Sequence, residues 1–328
     1  MTSTNVETDP TRGWRPRATL ETLRARARFF ATLRAFFSRR GVMEVDTPLL
    51  SRAAAVDPNV ESLGAPELGW LHTSPEFFMK RLLAAGSGPI YQIAHVFRAE
   101  EIGRYHQREF TMLEWYRPGF ASRELMDEVE AVVQAVGGPA GHYPRISYRN
   151  AFQRHANIEV FDDSLAVLRA RVAKAGVEFA VAPDDADLNN RDFWLDLAMS
   201  TLVSPRLGAE LPCFVYDYPA SQAALAALRP GRVPVAERFE LFWRGVELAN
   251  GFHELRDAEE QRTRFGRDLA TRAVRGQRQL PMDEHFLAAL RYGLPDCSGV
   301  ALGLDRLLML LLNLGMVADA QSFDGERA

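Results

Sequence analysis

The chain has 328 residues, 47% of them hydrophobic and 25% charged, with a formal net charge of -4 at pH 7. A chain of that size and balance buries a large core, so it is neither a tail nor a linker, and it carries no overall basic field for nucleic acid. Its only cysteines, Cys213 and Cys297, exclude a disulfide framework and have no metal-ligand spacing, which points to two buried thiols in a reducing compartment.

The first 16 residues are polar, without the apolar run of a leader, and the most apolar stretch, 307–314, is too short to span a bilayer, so a cytoplasmic protein without membrane contact is expected. Residues 1–18, rich in Thr, Pro and Arg, are expected to be a disordered tail, and 19–328 to form one folded domain. Leu20, Leu23, Ala27, Phe30, Leu33, Phe36 and Phe37 recur at helical spacing and Gly41 follows, which predicts a long amphipathic helix. A strand is predicted over 41–50, stopped by Pro48.

At Thr73-Ser74-Pro75-Glu76 the residues make a complete helix start, with Ser as cap, Pro at the first position and Glu in the first turn; Gly86 ends the helix. Structure alone explains the pattern, or Glu76 at the helix mouth holds a substrate ammonium. The run 89–97 has strand composition, a charged loop with Gly103 follows, and a second strand returns through Phe110 to Tyr116. Alternation puts Phe110, Met112, Glu114 and Tyr116 on one face and Thr111, Leu113 and Trp115 on the other. A strand that only filled a core would not set a carboxylate between aromatic rings, so Glu114 either faces water or lines a polar site.

From 137 to about 210 the texture changes to a small helical insertion, with helical patterns at 148–155, 164–175 and 191–203, an acidic linker at Pro183-Asp184-Asp185, and no cluster of catalytic residue types. His142 and His155 within it read as ordinary histidines. A strand follows at 211–219, then a hairpin over 236–255. If Arg244-Gly245 is its two-residue turn, Phe242 pairs with Glu247, and Glu240 and Glu247 point to one face of adjacent strands. Such carboxylates are either solvent-exposed or share a hard divalent ion such as Mg2+. By parity Asn250, Phe252 and Glu254 face away from Glu247 unless a bulge turns them back, and a bulge at Asn250-Gly251 is predicted.

In the last element, Val300, Leu302 and Leu304 alternate with Gly299, Ala301 and Gly303, leaving one strand face nearly bare for something to lie against it. The strand runs into an apolar helix whose first turn carries Arg306, an unfavourable place for a cation. Arg306 either pairs with Asp305 or another acid, or helps the helix start to clamp a phosphate.

Together these stretches resemble the three signature motifs of class II aminoacyl-tRNA synthetases: the long helix and strand to Pro48, the Arg98-to-Glu114 hairpin, and the Gly303-Leu304-Asp305-Arg306 junction. Within that class, Thr73-Ser74-Pro75-Glu76, Glu109 to Glu114, and Glu247 through Asn250-Gly251-Phe252 to Glu254 are similar to the lysyl-type catalytic domain. The resemblance covers about residues 20 to 316. The catalytic helix begins almost at once, so the N-terminal OB-fold that reads the anticodon in such synthetases is not expected here. Arg104-Tyr105-His106, Leu113 to Arg117 and Asp296 to Gly303 resemble the free-standing lysyl-type paralogs that attach (R)-beta-lysine to a lysine of elongation factor P. Ala301 stands where lysyl-tRNA synthetases have glycine, in keeping with a reshaped amino-acid pocket.

The resemblance implies an α+β fold with a mostly antiparallel six- or seven-stranded sheet flanked by helices, a homodimer, ATP and Mg2+ as cofactors, and no tRNA substrate. It implies that Arg98 holds the substrate carboxylate and the α-phosphate, Phe110 stacks on adenine, Glu100 meets the adenine amino group, and His106 and Arg306 take the outer phosphates. Gln107, Glu247, Leu248 and Gly303 would join the nucleotide site, and Glu240 and Glu247 would bind Mg2+. Ser74, Glu76, Glu114, Tyr116, Asn250, Phe252, Glu254 and Ala301 would line the amino-acid pocket. Ala99, Gln107 and Arg108 depart from the usual Asn, Asn and Pro of the family's loop. A tRNA-charging lysyl-type fragment and a catalytically inactive regulatory paralog stand as the other readings.

Overall fold

The computed structural model describes residues 14–177, 185–325 and 327–328, and only the backbone of 185 and 186. The tail expected over 1–18 lies outside the described residues up to 13, and its inner end is fixed: the Arg17 and Ala18 amides donate to the Ser322 and Gln321 carbonyls at 2.7 and 3.1 Å. Residues 183 and 184 of the acidic linker lie outside the described residues too.

Thr19 caps helix α1 (Leu20–Arg39) by accepting from the Thr22 amide at 3.1 Å, and α1 buries Phe29, Leu33, Phe36 and Phe37. Phe37 stacks on Tyr91 at 4.5 Å and meets Trp115 edge-on at 5.4 Å, so its truncation to Ala is expected to cost about 3–5 kcal/mol. The strand predicted over 41–50 is two short pieces. Strand β1 (Met43–Glu44) pairs in parallel with the main sheet, and β2 (Leu50–Ser51) belongs to a small second sheet with β3 (Gly64–Ala65) and β4 (Gly69–Leu71). Pro48 between them has no N–H to give a ladder, so the chain changes sheets there.

After helix α2 (Glu76–Ala84), strands β5 (Ile90–Phe97) and β6 (Glu109–Pro118) form the long hairpin, closed by α3 (Ser122–Ala135). The insertion holds β7 (Arg145–Ser147), α4 (Tyr148–Ala156), α5 (Leu165–Lys174), α6 (Asp185–Asn189) and α7 (Arg191–Ala198). Strands β8 (Cys213–Pro219), β9 (Leu228–Arg229), β10 (Val235–Trp243) and β11 (Val246–His253) return to the sheet. Helices α8 (Ala258–Val274) and α9 (Glu284–Gly293), strand β12 (Cys297–Gly303) and α10 (Leu304–Leu311) complete the order.

The main sheet runs β1-β5-β6-β12-β11-β10-β8-β7, with β9 paired to β10, which makes nine strands rather than the expected six or seven. The surplus is in short edge pieces; every pairing is antiparallel except β1 with β5 and β7 with β8. Because side chains alternate, Leu113, Trp115, Leu241, Ala249, Val300 and Leu302 pack under α1, α3 and α10 in one core. The opposite face is covered at one end by α2, α8 and α9 and at the other by the insertion. Its middle stays open to polar side chains.

Candidate active site

Strand register sets out the polar face. Glu240 pairs with Asn250, Asn250 with Ala301, Ala301 with Glu114 and Glu114 with Gln92, so one lateral row crosses five strands. Two residues along each strand, Phe252 pairs with Gly299 and Gly299 with Tyr116. A Cβ on Gly299 would stand 2.3 Å from the Tyr116 ring and 2.5 Å from Glu254 Oε1, so the bare face of β12 is the floor on which these two side chains rest.

The bulge predicted on β11 is present but two residues earlier. Phe242 pairs with Glu247 and Leu241 with Ala249, so Leu248 is the extra residue; Leu248 and Ala249 both point into the core. That shift returns Asn250 and Phe252 to the face of Glu247. It also turns the Leu248 side chain away from the polar face, where it was expected to join a nucleotide site, leaving only its main chain there, with the carbonyl 3.8 Å from where a Gly303 Cβ would be.

At the helix end of the face, Glu114 is 2% exposed and accepts from Ser74 Oγ at 2.5 Å and from the Tyr116 hydroxyl at 2.6 Å. Ser74 Oγ also accepts from the Glu76 amide at 3.0 Å, so the helix-start residue is at once a cap and a wall of the site. Burial and the nearby Glu76 push the Glu114 carboxyl up to about 8, against the two hydroxyl donors and Lys80. Glu254 is raised to about 7 by burial, with Lys80 opposing. Both groups thus hold protons more readily than free carboxylates even with Lys80 beside them.

Lys80 escaped the sequence reading. It is buried, with its ammonium 2.6 Å from Glu76 Oε1 and 2.6 Å from Glu254 Oε2. Burial pulls its pKa down, but Glu254 and Glu76 outweigh that and hold it above the usual lysine range. Its one sequence signal is the Glu76/Lys80 spacing of four on a helix otherwise flanked by Phe77, Phe78, Met79 and Leu82, which reads equally well as a surface pair.

At the other end the loop between β5 and β6 folds over the sheet. Arg98 Nη1 donates to Glu101 at 2.9 Å, its guanidinium carbon lies 5.2 Å from the Phe110 ring centre, and its Nε is buried without a hydrogen bond. Arg306 does not pair with Asp305. Its Nε donates to the Tyr105 carbonyl at 2.9 Å and Nη1 to the Glu247 carbonyl at 3.1 Å, and Nη2 lies 3.9 Å from Glu101. Asp305 is instead buried and ties three elements, accepting from Arg26 at 2.5 Å, the Thr111 amide at 2.9 Å and Gln321 at 2.9 Å. Partial burial and Arg306 lower the His106 pKa. Glu100 is exposed, and Gln107 is half-buried in the same loop.

Glu240 and Glu247 share the face. Glu240 accepts from the Tyr218 hydroxyl at 2.6 Å and is bridged by Arg238, a half-buried guanidinium that also donates to Asn250 Oδ1 at 3.2 Å and that the sequence reading missed. Burial and Glu240 raise Glu247 to about 7. Among the described residues no group of three His, Cys, Asp or Glu converges as a metal cluster. Two carboxylates on one face, with Glu247 near Arg306, still fit an ion that takes one or two protein carboxylates and completes its shell with phosphate oxygens and water, which is the habit of Mg2+. Both cysteines are buried and free, and among the described residues no helix is long and apolar enough to cross a membrane.

The face thus joins a basic end, built by Arg98 and Arg306, to an acidic end built by Glu76, Glu114 and Glu254. Comparison with known proteins matches residues 10–327 to the family of tRNA synthetases class II (D, K and N). The chain is 48% identical over 324 residues to an elongation factor P–(R)-beta-lysine ligase of Edwardsiella ictaluri, covering 96% of this chain and 98% of that protein. It is 46% identical to the proteins of that name from Vibrio vulnificus and Salmonella arizonae, covering 94% and 96% of this chain and 97% and 98% of theirs.

Proposed function

We propose that this chain, which belongs to the class II tRNA synthetases (D, K and N) and within them to the elongation factor P–(R)-beta-lysine ligases, joins (R)-beta-lysine to a lysine of elongation factor P in two ATP-driven steps. The observation that carries the mechanism is the joining of the two ends: an arginine pair sits at one end of a single sheet face whose other end holds three buried or half-buried carboxylates.

In the first step the amino-acid carboxylate attacks the α-phosphorus of ATP and pyrophosphate leaves, giving an aminoacyl adenylate. Arg98, whose Nε already lacks a partner, faces both the carboxylate and the α-phosphate and stabilises the charge that develops. Arg306 at the start of α10 and His106 take the outer phosphates; an arriving polyphosphate offsets the Arg306 charge that lowers the His106 pKa. Phe110 offers its ring to adenine, with Glu100 and Gln107 from the same loop and the main chain of Leu248 and Gly303 completing the nucleotide side. Glu240 and Glu247 would hold Mg2+, which when bound neutralises phosphate charge.

Glu76 and Glu114 face the amine nearer the carboxylate and Tyr116 and Glu254 the distal one, with Ser74, Asn250, Phe252 and Ala301 as walls. A dibasic guest explains the acidity of this end. In the second step a lysine amine of the partner attacks the acyl carbon, releasing AMP and forming an amide. With a reference pKa of about 10.4, that lysine sheds its proton on docking. No covalent enzyme intermediate is needed, and most of the acceleration comes from holding the reactants in place. The enzyme works in the cytoplasm as a homodimer, a reading supported by the exposed apolar Met43, Leu49 and Leu50 just after α1. tRNA is not among its substrates.

The test is pyrophosphate exchange over a panel of amino acids, then mass spectrometry of elongation factor P incubated with enzyme, ATP and (R)-beta-lysine. Exchange driven by diamino acids and a single lysine adduct are expected. Exchange with none of them would leave an inactive paralog, and charging of tRNA would restore the synthetase reading.

A further inference from the structure

Lys80 stands between two carboxylates of the amino-acid end, from α2 and from the segment after β11, and its side chain is 1% exposed. We propose that Lys80 is the positioning residue that sets the charge of this pocket at two negatives, and so makes an amino acid with two ammonium groups its matching guest. The proposal rests on this pocket being the amino-acid site of the reading above.

Fully ionised, Glu76, Glu114 and Glu254 carry three negative charges, and Lys80 cancels one. A guest with two ammoniums then leaves no buried charge unmatched, whereas a guest with one leaves a carboxylate stranded, which costs several kcal/mol or forces it to hold a proton. The lysine also fixes where the two charges sit. Glu76 and Glu254 arrive from elements with no shared backbone ladder, and without a cation between them they repel; a single ammonium in contact with both holds their spacing. Glu114 does not contact Lys80: its two oxygens accept from Ser74 and Tyr116 instead. The Lys80 ammonium is further confined by the Phe286 ring, 5.8 Å to its centre, itself stacked on Phe77 at 4.6 Å. The lysine therefore belongs to the wall and is not a free cation that a substrate displaces.

A plain fold staple between α2 and the segment after β11 would also be buried and paired, so the test reads more than stability. Lys80→Met keeps the length and removes the charge, Lys80→Arg keeps the charge, and Lys80→Ala opens a gap that methylammonium can fill. In pyrophosphate exchange with (R)-beta-lysine, Lys80→Met is expected to raise the KM of the amino acid on the order of 30-fold, with the KM of ATP held within about twofold. Lys80→Arg should retain part of the affinity, and methylammonium, but not methanol, should recover Lys80→Ala. The Ala variant reads the proposal even if Lys80→Met fails to fold. An amino-acid KM unchanged within about threefold in Lys80→Met overturns it, as does an equal loss for ATP and amino acid with no amine rescue. A wild-type enzyme inert with every diamino acid sinks the functional reading instead, a result distinct from either.

Discussion

The Arg98 guanidinium donates to the Glu101 carboxylate at 2.9 Å, and the other Glu101 oxygen lies 3.9 Å from Arg306. An internal anion thus occupies the space between the two arginines that the proposed reaction needs for phosphate. If polyphosphate displaces it, Glu101→Gln lowers the KM of ATP by roughly threefold, since a partly exposed pair contributes about 0.2–1 kcal/mol. A rise in that KM would show instead that Glu101 itself takes part in nucleotide binding.

Arg98 is the group asked to stabilise charge only as the adenylate forms. Its replacement by Lys removes the planar fork while keeping the charge, and exchange activity is expected to fall roughly 100- to 1000-fold in kcat with little change in melting temperature. Equal activity in Arg98→Lys would transfer the role elsewhere.

Gly299 gives a separate handle on the acidic end. A methyl there would meet Tyr116 and Glu254 at 2.3 and 2.5 Å, and both are packed against neighbours that leave them little room to give way. Gly299→Ala should raise the amino-acid KM at least tenfold and leave ATP binding, measured by calorimetry with a non-hydrolysable analogue, within about twofold.

The raised carboxyls fix the sign of a pH dependence. Glu114 at about 8 and Glu247 and Glu254 at about 7 bind protons in the folded protein that the unfolded chain, with carboxyls near 4.5, has already released. Their contribution to stability is complete below the unfolded value and is lost as pH rises through 7 to 8. The ligand-free protein should therefore melt several degrees lower at pH 8.5 than at pH 6. Saturating diamino acid, whose ammoniums replace those protons at the acidic end, should raise the melting temperature more at pH 8 than at pH 6. A ligand shift that shrinks with rising pH would contradict this assignment.

Asp305 serves the fold. Its carboxylate is 1% exposed and joins Arg26 on α1 to the Thr111 amide on β6. Asp305→Ala is expected to cost about 3 kcal/mol in urea unfolding by leaving a half-buried guanidinium without its counter-charge and a buried amide unpaired.

The helices and the two hairpins were legible because their signals are local: 3.6-residue spacing in α1, alternation in β6, and the bare face of β12. The insertion's helices followed the predicted patterns closely, with α4 at Tyr148–Ala156 against 148–155. What sequence spacing could not fix was partnership at a distance. Lys80 meets Glu254 across 174 positions and Arg238 neutralises a carboxylate two residues along its own strand, so both look like ordinary surface charges in one dimension. The bulge was foreseen because parity required one, but its place was not, since either Leu248 or Asn250 could absorb the extra residue until the neighbouring strand set the register. Edge strands as short as β1 and β9 carry too few residues to show a period.

The extra residue at Leu248 makes the second hairpin a counting device. Pair that one leucine into the ladder, with the chain no shorter, and β11 slides into even step with β10, so that every later side chain on the strand rotates by half a turn. Asn250 and Phe252 would then vanish into the greasy side and Ala249 and Gly251 would surface in their stead, erasing one wall of the chamber without substituting a single residue. One residue left out of the ladder, at this one spot, carries as much chemical information as the identity of its neighbours.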